Sequence, residues 1–232
     1  FFDLMITPCH DDIAQKAADG QMDVPNLLTT TGALNRLDEA EIEDEAAALK
    51  ISYNDGQLAG RAFALVMIGG HNRRYKAGAD AFTKVAEELA AFVQMTGAML
   101  ALVPSRRTPK RGLRVLAEEL ERRLGGEASW VWNGVGHNPY PGLLGLAKYV
   151  IVTSDSVNMT SEVTLTGKPV LTVELAEEKG RIARFHKIMQ AGRHTARLPD
   201  VLAKPERLNE AFVVLDERIS ISEAVYKFFE GA

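Results

Sequence analysis

Short apolar segments alternate with helical segments from residue 61 to the end of the chain. The apolar segments lack the alternation of polar and apolar residues, which is typical of strands covered on both faces of a parallel sheet. Between them, apolar residues recur at helical spacing, for example at Phe82, Val85 and Leu89. The pattern predicts an α/β fold with a parallel sheet and helices on both faces. Five strands are expected, at Phe63–Ile68, Met99–Val103, Ser129–Trp132, Tyr149–Thr153 and Val170–Val173.

The residues up to 57 show a different arrangement and are expected to belong to a second domain. Phe1–Thr7 and Leu27–Thr31 each have the length and composition of a strand, with a loop or broken helix between them. Asn54-Asp55-Gly56 predicts a turn that serves as a linker. We interpret residues 1–57 as the C-terminal part of an incomplete N-terminal domain with its linker, and residues 58–232 as a Rossmann-like domain. Because the chain opens within a strand, we expect further residues upstream.

Helices are expected in the connections between the strands and at the C-terminal end. Their positions follow from apolar stripes at helical spacing and from glycine or proline at their ends. One of them is strongly acidic, which is typical of a solvated helix face. The predicted helices lie at Asp38–Lys50, around Phe82–Phe92, at Lys110–Leu124, after Pro141, and at Val157–Thr166, Arg181–Gln190 and Arg207–Phe229.

The composition excludes several classes of protein. The 232 residues include 27 Lys and Arg against 31 Asp and Glu, a net charge of -4, whereas a dedicated nucleic-acid binder usually has a basic excess. Cys9 is the only cysteine, which excludes a disulfide within the chain and a zinc site made of several thiolates. No apolar run approaches the roughly 20 residues that span a bilayer. We expect a cytoplasmic protein, free or peripheral to the membrane, with no transmembrane segment and no nucleic-acid partner.

The sequence also lacks the common cofactor and metal motifs. It has no P-loop, because no Gly-Lys-Ser/Thr follows a glycine at the required spacing. The segment Gly134–Pro139 lacks the third glycine of the dinucleotide-binding fingerprint. Its histidines are scattered and form no His-Glu-x-x-His pattern. We therefore expect no cofactor and no metal.

Cationic residues follow the predicted strands, where sheets of this kind bind their ligands. Gly69-Gly70 follows the first strand of the sheet and allows a close approach of the backbone, and Arg73 comes shortly after. Arg106 follows the second strand. Arginine forks bind phosphate or carboxylate oxygens, so these residues predict a site for a diphosphate or a similar anion. The alternative is that the arginines pair with acids on the surface.

The fourth strand leads into a hydroxyl-rich turn. Ser154-Asp155-Ser156 opens the helix predicted at Val157–Thr166, and Glu162 lies near the middle of that helix. Hydroxyls and free N–H groups at a helix start suit an anion. The Glu162 carboxylate is able to accept two hydroxyls of a ribose. The alternative for Glu162 is an exposed helix glutamate with no ligand.

Ser154–Glu162, followed by Thr166-Gly167-Lys168-Pro169-Val170, resembles the donor-site segment of GT-B glycosyltransferases. It is similar to the segment in the transferase that adds N-acetylglucosamine to the lipid-linked peptidoglycan precursor. In that family the serine-rich turn meets the diphosphate and the glutamate meets the ribose. The resemblance implies phosphate contacts from three hydroxylated residues and a ribose contact from the glutamate, namely from Ser154, Ser156, Thr160 and Glu162.

A second resemblance covers nearly the whole chain. It is to the mitochondrial-fission ELM family, which includes the plant fission factor and many bacterial relatives. The bacterial members are often labelled predicted nucleoside-diphosphate-sugar epimerases. The segments that carry the resemblance are Pro8-Cys9-His10-Asp11, Gly69-Gly70-His71-Asn72, Pro104-Ser105-Arg106-Arg107-Thr108-Pro109, Asn138-Pro139-Tyr140, Ser154–Glu162 and Gly180-Arg181-Ile182-Ala183-Arg184-Phe185-His186.

Together the resemblances imply a GT-B-like protein that binds a nucleoside-diphosphate sugar. Residues 58–232 would bind the nucleotide, and residues 1–57 would belong to the acceptor-side domain. The backbone of Gly70, with Arg73 and Arg106, would neutralise the leaving diphosphate. The expected reaction is glycosyl transfer to a lipid-linked or saccharide acceptor.

The resemblance says less about the general base and about the type of reaction. His10 and Asp11 follow a strand of the N-terminal domain, and either is a candidate general base for the acceptor hydroxyl. The alternative for His10 is a structural histidine. Two other functions stay open. One is epimerisation of the same nucleotide sugar; the other is a non-catalytic scaffold with an exposed apolar patch, as the plant relative is implied to be for a dynamin-like protein.

Overall fold

The computed structural model describes residues 2–52, 58, 60–70 and 77–230. These residues form a small and a large parallel sheet with helices packed around the large one. The strands are β1 (Met5–Pro8), β2 (Leu27–Thr30), β3 (Phe63–Ile68), β4 (Met99–Pro104), β5 (Ser129–Val131), β6 (Tyr149–Thr153), β7 (Val170–Val173) and β8 (Ala196–Arg197). The helices are α1 (Asp12–Ala18), α2 (Glu39–Ser52), α3 (Ala79–Thr96), α4 (Lys110–Leu124), α5 (Tyr140–Leu146), α6 (Val157–Val163), α7 (Arg181–Ala191), α8 (Leu198–Ala203) and α9 (Arg218–Glu230), with 3-10 turns at Thr164–Thr166 and Pro205–Asn209.

The large sheet has the strand order β5-β4-β3-β6-β7-β8. The chain runs outward from β3 to β5 and then returns to β6 on the other side of β3. Val66 of β3 therefore pairs with Leu102 of β4 on one side and with Ile151 of β6 on the other. In parallel sheets, ligands bind in the crevice at the point where the strand order reverses. The residues that follow β3 and β6 lie side by side at this crevice.

Both faces of the large sheet are covered, which explains why its strands are apolar at successive positions. Leu65 and Val66, neighbours in β3, are both fully buried but belong to separate cores. Val66 packs in the core that includes Leu89 of α3, and Leu65 in the core that includes Leu144 of α5. Burying a side chain of this size contributes about 1.5–3 kcal/mol. Within the described part of the chain, no helix is both long enough and apolar enough to cross a bilayer.

All five strands predicted for the large sheet are present, and β8 is a sixth that the sequence pattern misses. β8 has two residues, which is too short for a recognisable periodicity. α1 is a helix of seven residues in the segment predicted as a loop or broken helix. Asp11 begins it as the N-cap, with a side chain that accepts from the backbone N–H of Ile13, as acidic N-caps commonly do.

The long C-terminal helix expected at Arg207–Phe229 is wrong. A 3-10 turn ends at Asn209, the chain then runs extended, and α9 begins only at Arg218. In the extended part, the N–H of Val213 donates to the Arg193 carbonyl at 2.9 Å. Tertiary hydrogen bonds of this kind override the local helical preference on which the prediction rested.

The acidic helix α2 packs against α5 across two glycines. A Cβ on Gly142 would lie 2.6 Å from the Glu45 carbonyl oxygen, and one on Gly145 would lie 2.7 Å from the Ala46 Cβ. The two helix backbones approach closely because these glycines have no side chain. α2 thus contacts the large sheet's helical layer, while the domain boundary after residue 57 stays a prediction.

Lys168 closes the C-terminal end of α5. Its Nζ donates to the carbonyl oxygens of Leu144, Gly145 and Ala147 at 2.6, 2.6 and 2.8 Å. These carbonyls belong to the last turn of a helix, where no intrahelical N–H is present to pair with them. Burial lowers the pKa of Lys168 to about 8. The Lys168 ammonium group therefore links the Gly-Lys-Pro segment to the end of α5.

We predict that Lys168→Met destabilises the protein by about 1–3 kcal/mol, because three part-buried carbonyls would lose a charged donor. Lys204→Met is the matched control, since Lys204 is exposed. Urea unfolding at pH 7 measures both variants. Equal stability of the two would show that the three contacts of Lys168 contribute nothing.

Candidate functional site

A buried carboxylate, Asp155, occupies the crevice between the ends of β3 and β6. Its Oδ2 accepts a hydrogen bond from the backbone N–H of Gly70 at 3.0 Å, and its Oδ1 accepts one from the Thr153 hydroxyl at 2.7 Å. The Thr153 oxygen accepts in turn from the backbone N–H of Gly69 at 2.7 Å. The glycine pair after β3 is thereby tied to the turn after β6.

This packing explains why two glycines follow β3. A Cβ on Gly69 would lie 2.1 Å from Oδ1 of Asp155, and a Cβ on Gly70 would lie 2.1 Å from the carbonyl oxygen of Arg107. Neither atom has room to move away, because one belongs to a buried side chain and the other to backbone. The close approach predicted at Gly69 and Gly70 is therefore made with protein atoms, and Asp155 uses the Gly70 N–H.

The loop after β4 completes the crevice. The Arg107 guanidinium lies 3.7 Å from Oδ2 of Asp155, and the Thr108 hydroxyl donates to the Ile68 carbonyl at 2.7 Å. Burial raises the pKa of Asp155, while the hydrogen bonds from Thr153 and Gly70 and the charge of Arg107 oppose that rise. One carboxylate thus gathers the ends of three neighbouring strands.

The three hydroxylated residues expected to contact phosphate are buried, Ser154 and Ser156 in the turn between β6 and α6 and Thr160 in α6 itself. The Ser156 oxygen caps α6 and accepts from the Met159 N–H at 3.4 Å. The Thr160 hydroxyl donates to the Ser156 carbonyl at 3.0 Å. The Ser154 hydroxyl has no hydrogen-bond partner within the described residues. In this conformation Ser156 and Thr160 support the turn itself.

His186 of α7 supports the same turn from the other side. Its Nε2 lies 2.8 Å from the Ser154 carbonyl oxygen, which accepts only, so Nε2 carries the proton. His186 is 1% exposed, and its Nδ1 has no partner in the described part of the chain. Burial lowers the pKa of His186, and the hydrogen bond to the Ser154 carbonyl only partly opposes that effect. A neutral imidazole therefore positions the turn.

His10 and Asp11 meet α7 at the end of β1. The ring centroids of His10 and Phe185 are 5.0 Å apart. Asp11 forms an ion pair with Arg181, and the Nε of Arg184 donates to the His10 carbonyl at 3.1 Å. The two candidate base residues therefore lie against α7 and not in an open space.

Glu162 is half-buried on α6 and faces Tyr140. The pKa of Glu162 is raised on balance, because burial and the charge of Glu41 outweigh the opposing effect of the nearby Tyr140 hydroxyl. Burial and the charge of Glu162 raise the pKa of Tyr140 well above its usual value. The Tyr140 hydroxyl lies near Glu162 but has no hydrogen-bond partner among the described residues. Glu162 is partly exposed, whereas the Tyr140 hydroxyl is buried, so a hydroxylated ligand would contact the carboxylate.

The structure describes one of the two arginines that were predicted to bind the diphosphate. Arg106 is exposed in the loop after β4, and within the described residues it forms no ion pair. Arg73 lies outside the described residues. No group of three or more His, Cys, Asp or Glu side chains suited to a metal ion occurs in the part of the chain that the structure describes.

Four residues that shape the site were not selected from the sequence, namely Asp155, Arg107, His186 and Tyr140. Each lies inside a segment that carries the family resemblance. The sequence pattern points instead to neighbouring hydroxyls, cations and a mid-helix carboxylate, because these groups are able to contact a nucleotide directly. A buried acid between two serines, next to a glycine pair after a strand, is the signal that would have pointed to Asp155.

A family model described as mitochondrial fission ELM1 matches residues 1–228. The chain belongs to this family. Over 204 residues it is 29% identical to the mitochondrial fission protein ELM1 of Arabidopsis thaliana. The aligned region covers 82% of this chain and 46% of that protein. It is 26% identical over 148 residues to an uncharacterized protein of Rickettsia prowazekii, covering 62% of this chain and 39% of that protein. The chain therefore spans less than half the length of these two relatives.

Among solved structures, the chain resembles the UDP-GlcNAc 2-epimerase from Neisseria meningitidis, which was solved bound to UDP-GlcNAc. The TM-score is 0.51 at 12% sequence identity, over 92% of this chain and 58% of that one. At this identity the likeness concerns the fold alone. The predicted GT-B-like α/β fold and the predicted family are both confirmed.

We predict that the buried imidazole of His186 makes the protein less stable in acid. Burial lowers its pKa below the unfolded value of 6.5, so the unfolded chain binds the proton more readily than the folded one. The stabilisation is present above pH 6.5 and is lost as the pH falls through it. Between pH 7.5 and pH 5.5 this group accounts for a loss of at most about 1.4 kcal/mol.

His186→Gln, whose amide nitrogen is able to donate to Ser154 in place of Nε2, should shrink the acid loss measured by urea unfolding at the two pH values. Lys187→Gln is the control, because Lys187 is exposed on the same helix and forms no ion pair within the described residues. An acid loss unchanged in His186→Gln would contradict the assignment of this stability change to His186.

Proposed function

We propose that residues 58–232 bind a nucleoside-diphosphate sugar at the crevice between β3 and β6, in a protein that transfers the glycosyl group. The observation that carries the proposal is the convergence of three strand ends on Asp155, which places the loop of Arg106 beside the β6–α6 turn. In GT-B-like sheets this edge is where a ligand binds. The solved neighbour that holds UDP-GlcNAc supports the proposal through its fold.

Arg106 is proposed to carry most of the contact with the diphosphate. It is exposed and has no ion-pair partner among the described residues, so no internal bond has to break before it binds. Arg107 is half-exposed but already lies beside the Asp155 carboxylate. The Ser156 oxygen already accepts from the Met159 amide, which leaves its hydroxyl proton for one contact with phosphate. A guanidinium at this edge would stabilise the charge that grows on a leaving diphosphate, a role that does not require a metal.

Glu162 is proposed to bind the ribose. Its carboxylate is partly buried beside Tyr140 and is close enough to Glu41 for their charges to repel. Two ribose hydroxyls would donate to this carboxylate and offset the cost of burying it. This assignment rests on the position of Glu162 on α6, one helical turn and a half beyond the Ser156 cap.

Residues 1–57 are proposed to contribute the acceptor side, with His10 or Asp11 as the general base. Burial lowers the pKa of His10, so its ring is neutral and in the base form at pH 7. Burial raises the pKa of Asp11, but the hydrogen bond and charge of Arg181 outweigh that effect and lower it. His10 is therefore the better base of the two, although it is 5% exposed and requires an opening between β1 and α7.

A scaffold function is the second candidate, because α9 exposes several apolar side chains. Ile219, Tyr226 and Phe229 are 73%, 64% and 59% exposed. Apolar side chains grouped on one helix are typical of a surface that contacts another protein. In that reading the GT-B-like fold is kept without nucleotide binding.

We predict that at least one of UDP, GDP, ADP or their sugars raises the melting temperature of the protein. Binding at 100 times the dissociation constant stabilises the folded state by about 2.7 kcal/mol. Arg106→Gln should weaken that binding at least about tenfold, since it removes a charge-assisted hydrogen bond. Arg114→Gln is the control, because Arg114 is 70% exposed and pairs with Glu118 of its own helix.

The absence of any nucleotide-dependent shift would favour the scaffold over both enzymatic functions. Equal binding by the Arg106 and Arg114 variants would remove Arg106 from the site. Product analysis then separates the reactions: glycosyl transfer requires an acceptor, whereas epimerisation converts the nucleotide sugar alone.

A further inference from the structure

Two backbone N–H groups at the end of β2 converge on one carboxylate. The N–H of Thr31 lies 2.9 Å from both oxygens of Glu217, and the N–H of Gly32 lies 3.1 Å from Oε2. Glu217 is 185 residues away in sequence, directly before α9. Consecutive N–H groups that point to one place form an anion-binding concavity, termed a nest. We refer to the N–H groups of Thr31 and Gly32 as the β2 nest.

The shape of the β2 nest is fixed by contacts other than Glu217. The Thr30 hydroxyl donates to the Gly32 carbonyl at 2.6 Å, and the Ala33 N–H donates to the Ser161 hydroxyl at 2.9 Å. A Cβ on Gly32 would lie 2.8 Å from the Ser161 Oγ, so the backbone fits against α6 only with glycine. The nest is therefore held in place from β2 and from α6, independently of its anion.

The β2 nest supplies the main compensation for the charge of Glu217. In the described residues no cation forms an ion pair with this carboxylate, and the adjacent Arg218 pairs with Asp216. The negative charge of Glu217 adds to burial in raising the pKa of Cys9, which places the thiol near the same carboxylate. Backbone N–H groups thus bind an oxyanion here without help from a side-chain cation.

We propose that the β2 nest is an oxyanion-binding site which Glu217 occupies as an internal ligand, and which a soluble phosphate or carboxylate group occupies when Glu217 leaves. The chain itself demonstrates the chemistry, because a carboxylate sits in the nest at ordinary hydrogen-bond distances. Phosphate oxygens have the same acceptor character and carry more charge. This inference does not depend on nucleotide binding at the β3–β6 crevice.

Exchange of the anion would act on α9. Glu217 directly precedes this helix, and the Arg218 guanidinium donates to the Leu37 carbonyl at 2.7 Å. When an external anion displaces Glu217, the first turn of α9 loses its hydrogen bonds to the end of β2. Oxyanion binding at the nest is thereby coupled to the attachment of the C-terminal helix.

The test uses amide NMR of the full chain with Glu217→Ala and Glu217→Gln. In the variants without added anion, the Thr31 and Gly32 amide signals should move upfield, because their acceptor is lost or weakened. Inorganic phosphate should move them back along a saturable curve, with Ala binding more tightly than Gln. In the wild type phosphate has to displace Glu217, so the Thr31 and Gly32 signals should respond only at concentrations well above those that saturate the variants. A wild type that does not respond at any concentration would contradict the exchange. An acetate titration reports whether a carboxylate replaces the phosphate.

Glu223→Ala is the matched control, since Glu223 is exposed on α9, and sodium chloride at equal ionic strength controls for general salt effects. The Glu223 variant should respond as wild type does. A linear response, a response equal to that in chloride, or no response of Thr31 and Gly32 in both Glu217 variants would overturn the proposal. In that case Glu217 is only a structural link between β2 and α9.

Discussion

The burial of one carboxylate, Asp155, sets the form of the whole sheet edge. Its side chain is fully buried, and an ion in that position costs several kcal/mol unless it is paired and hydrogen-bonded. Thr153 and the Gly70 N–H supply the hydrogen bonds, and Arg107 supplies the charge. Because those donors come from three different strand ends, the carboxylate fixes their relative positions. The same packing leaves no room for a side chain on Gly69.

Carboxylates also attach the small sheet to the rest of the chain. Asp11 pairs with Arg181 of α7, and Glu217 binds the N–H groups at the end of β2. Exposed ion pairs of this kind usually contribute less than about 1 kcal/mol each, whereas the Glu217 contact uses partly buried backbone donors. These polar contacts, together with the packing of the His10 ring on Phe185, join the small sheet to the rest of the chain, whereas the interior of the large sheet is apolar.

The fold was largely predictable and the site only in part. The strands of the large sheet are continuous apolar runs, and α3 and α4 carry regular apolar stripes, so local patterns identify them. The region between Asn209 and Arg218 was misread because its amides bond to distant segments. Gly69 and Gly70 stand out in the sequence for a close approach to a ligand, and Asp155, which accepts from the Gly70 N–H, is 85 residues away. No local pattern shows that the glycines make room for Asp155 and for the loop of Arg107.

Hydrogen–deuterium exchange with and without UDP, GDP or ADP tests most directly whether the edge organised by Asp155 binds a nucleoside diphosphate. Exchange reports the opening of individual backbone segments. The account predicts that one nucleotide slows exchange in the peptides that cover residues 105–109 and 154–162, while the peptides of α9 are unchanged. Unchanged exchange in both edge peptides at saturating concentrations of every nucleotide, or protection confined to other segments, would contradict it.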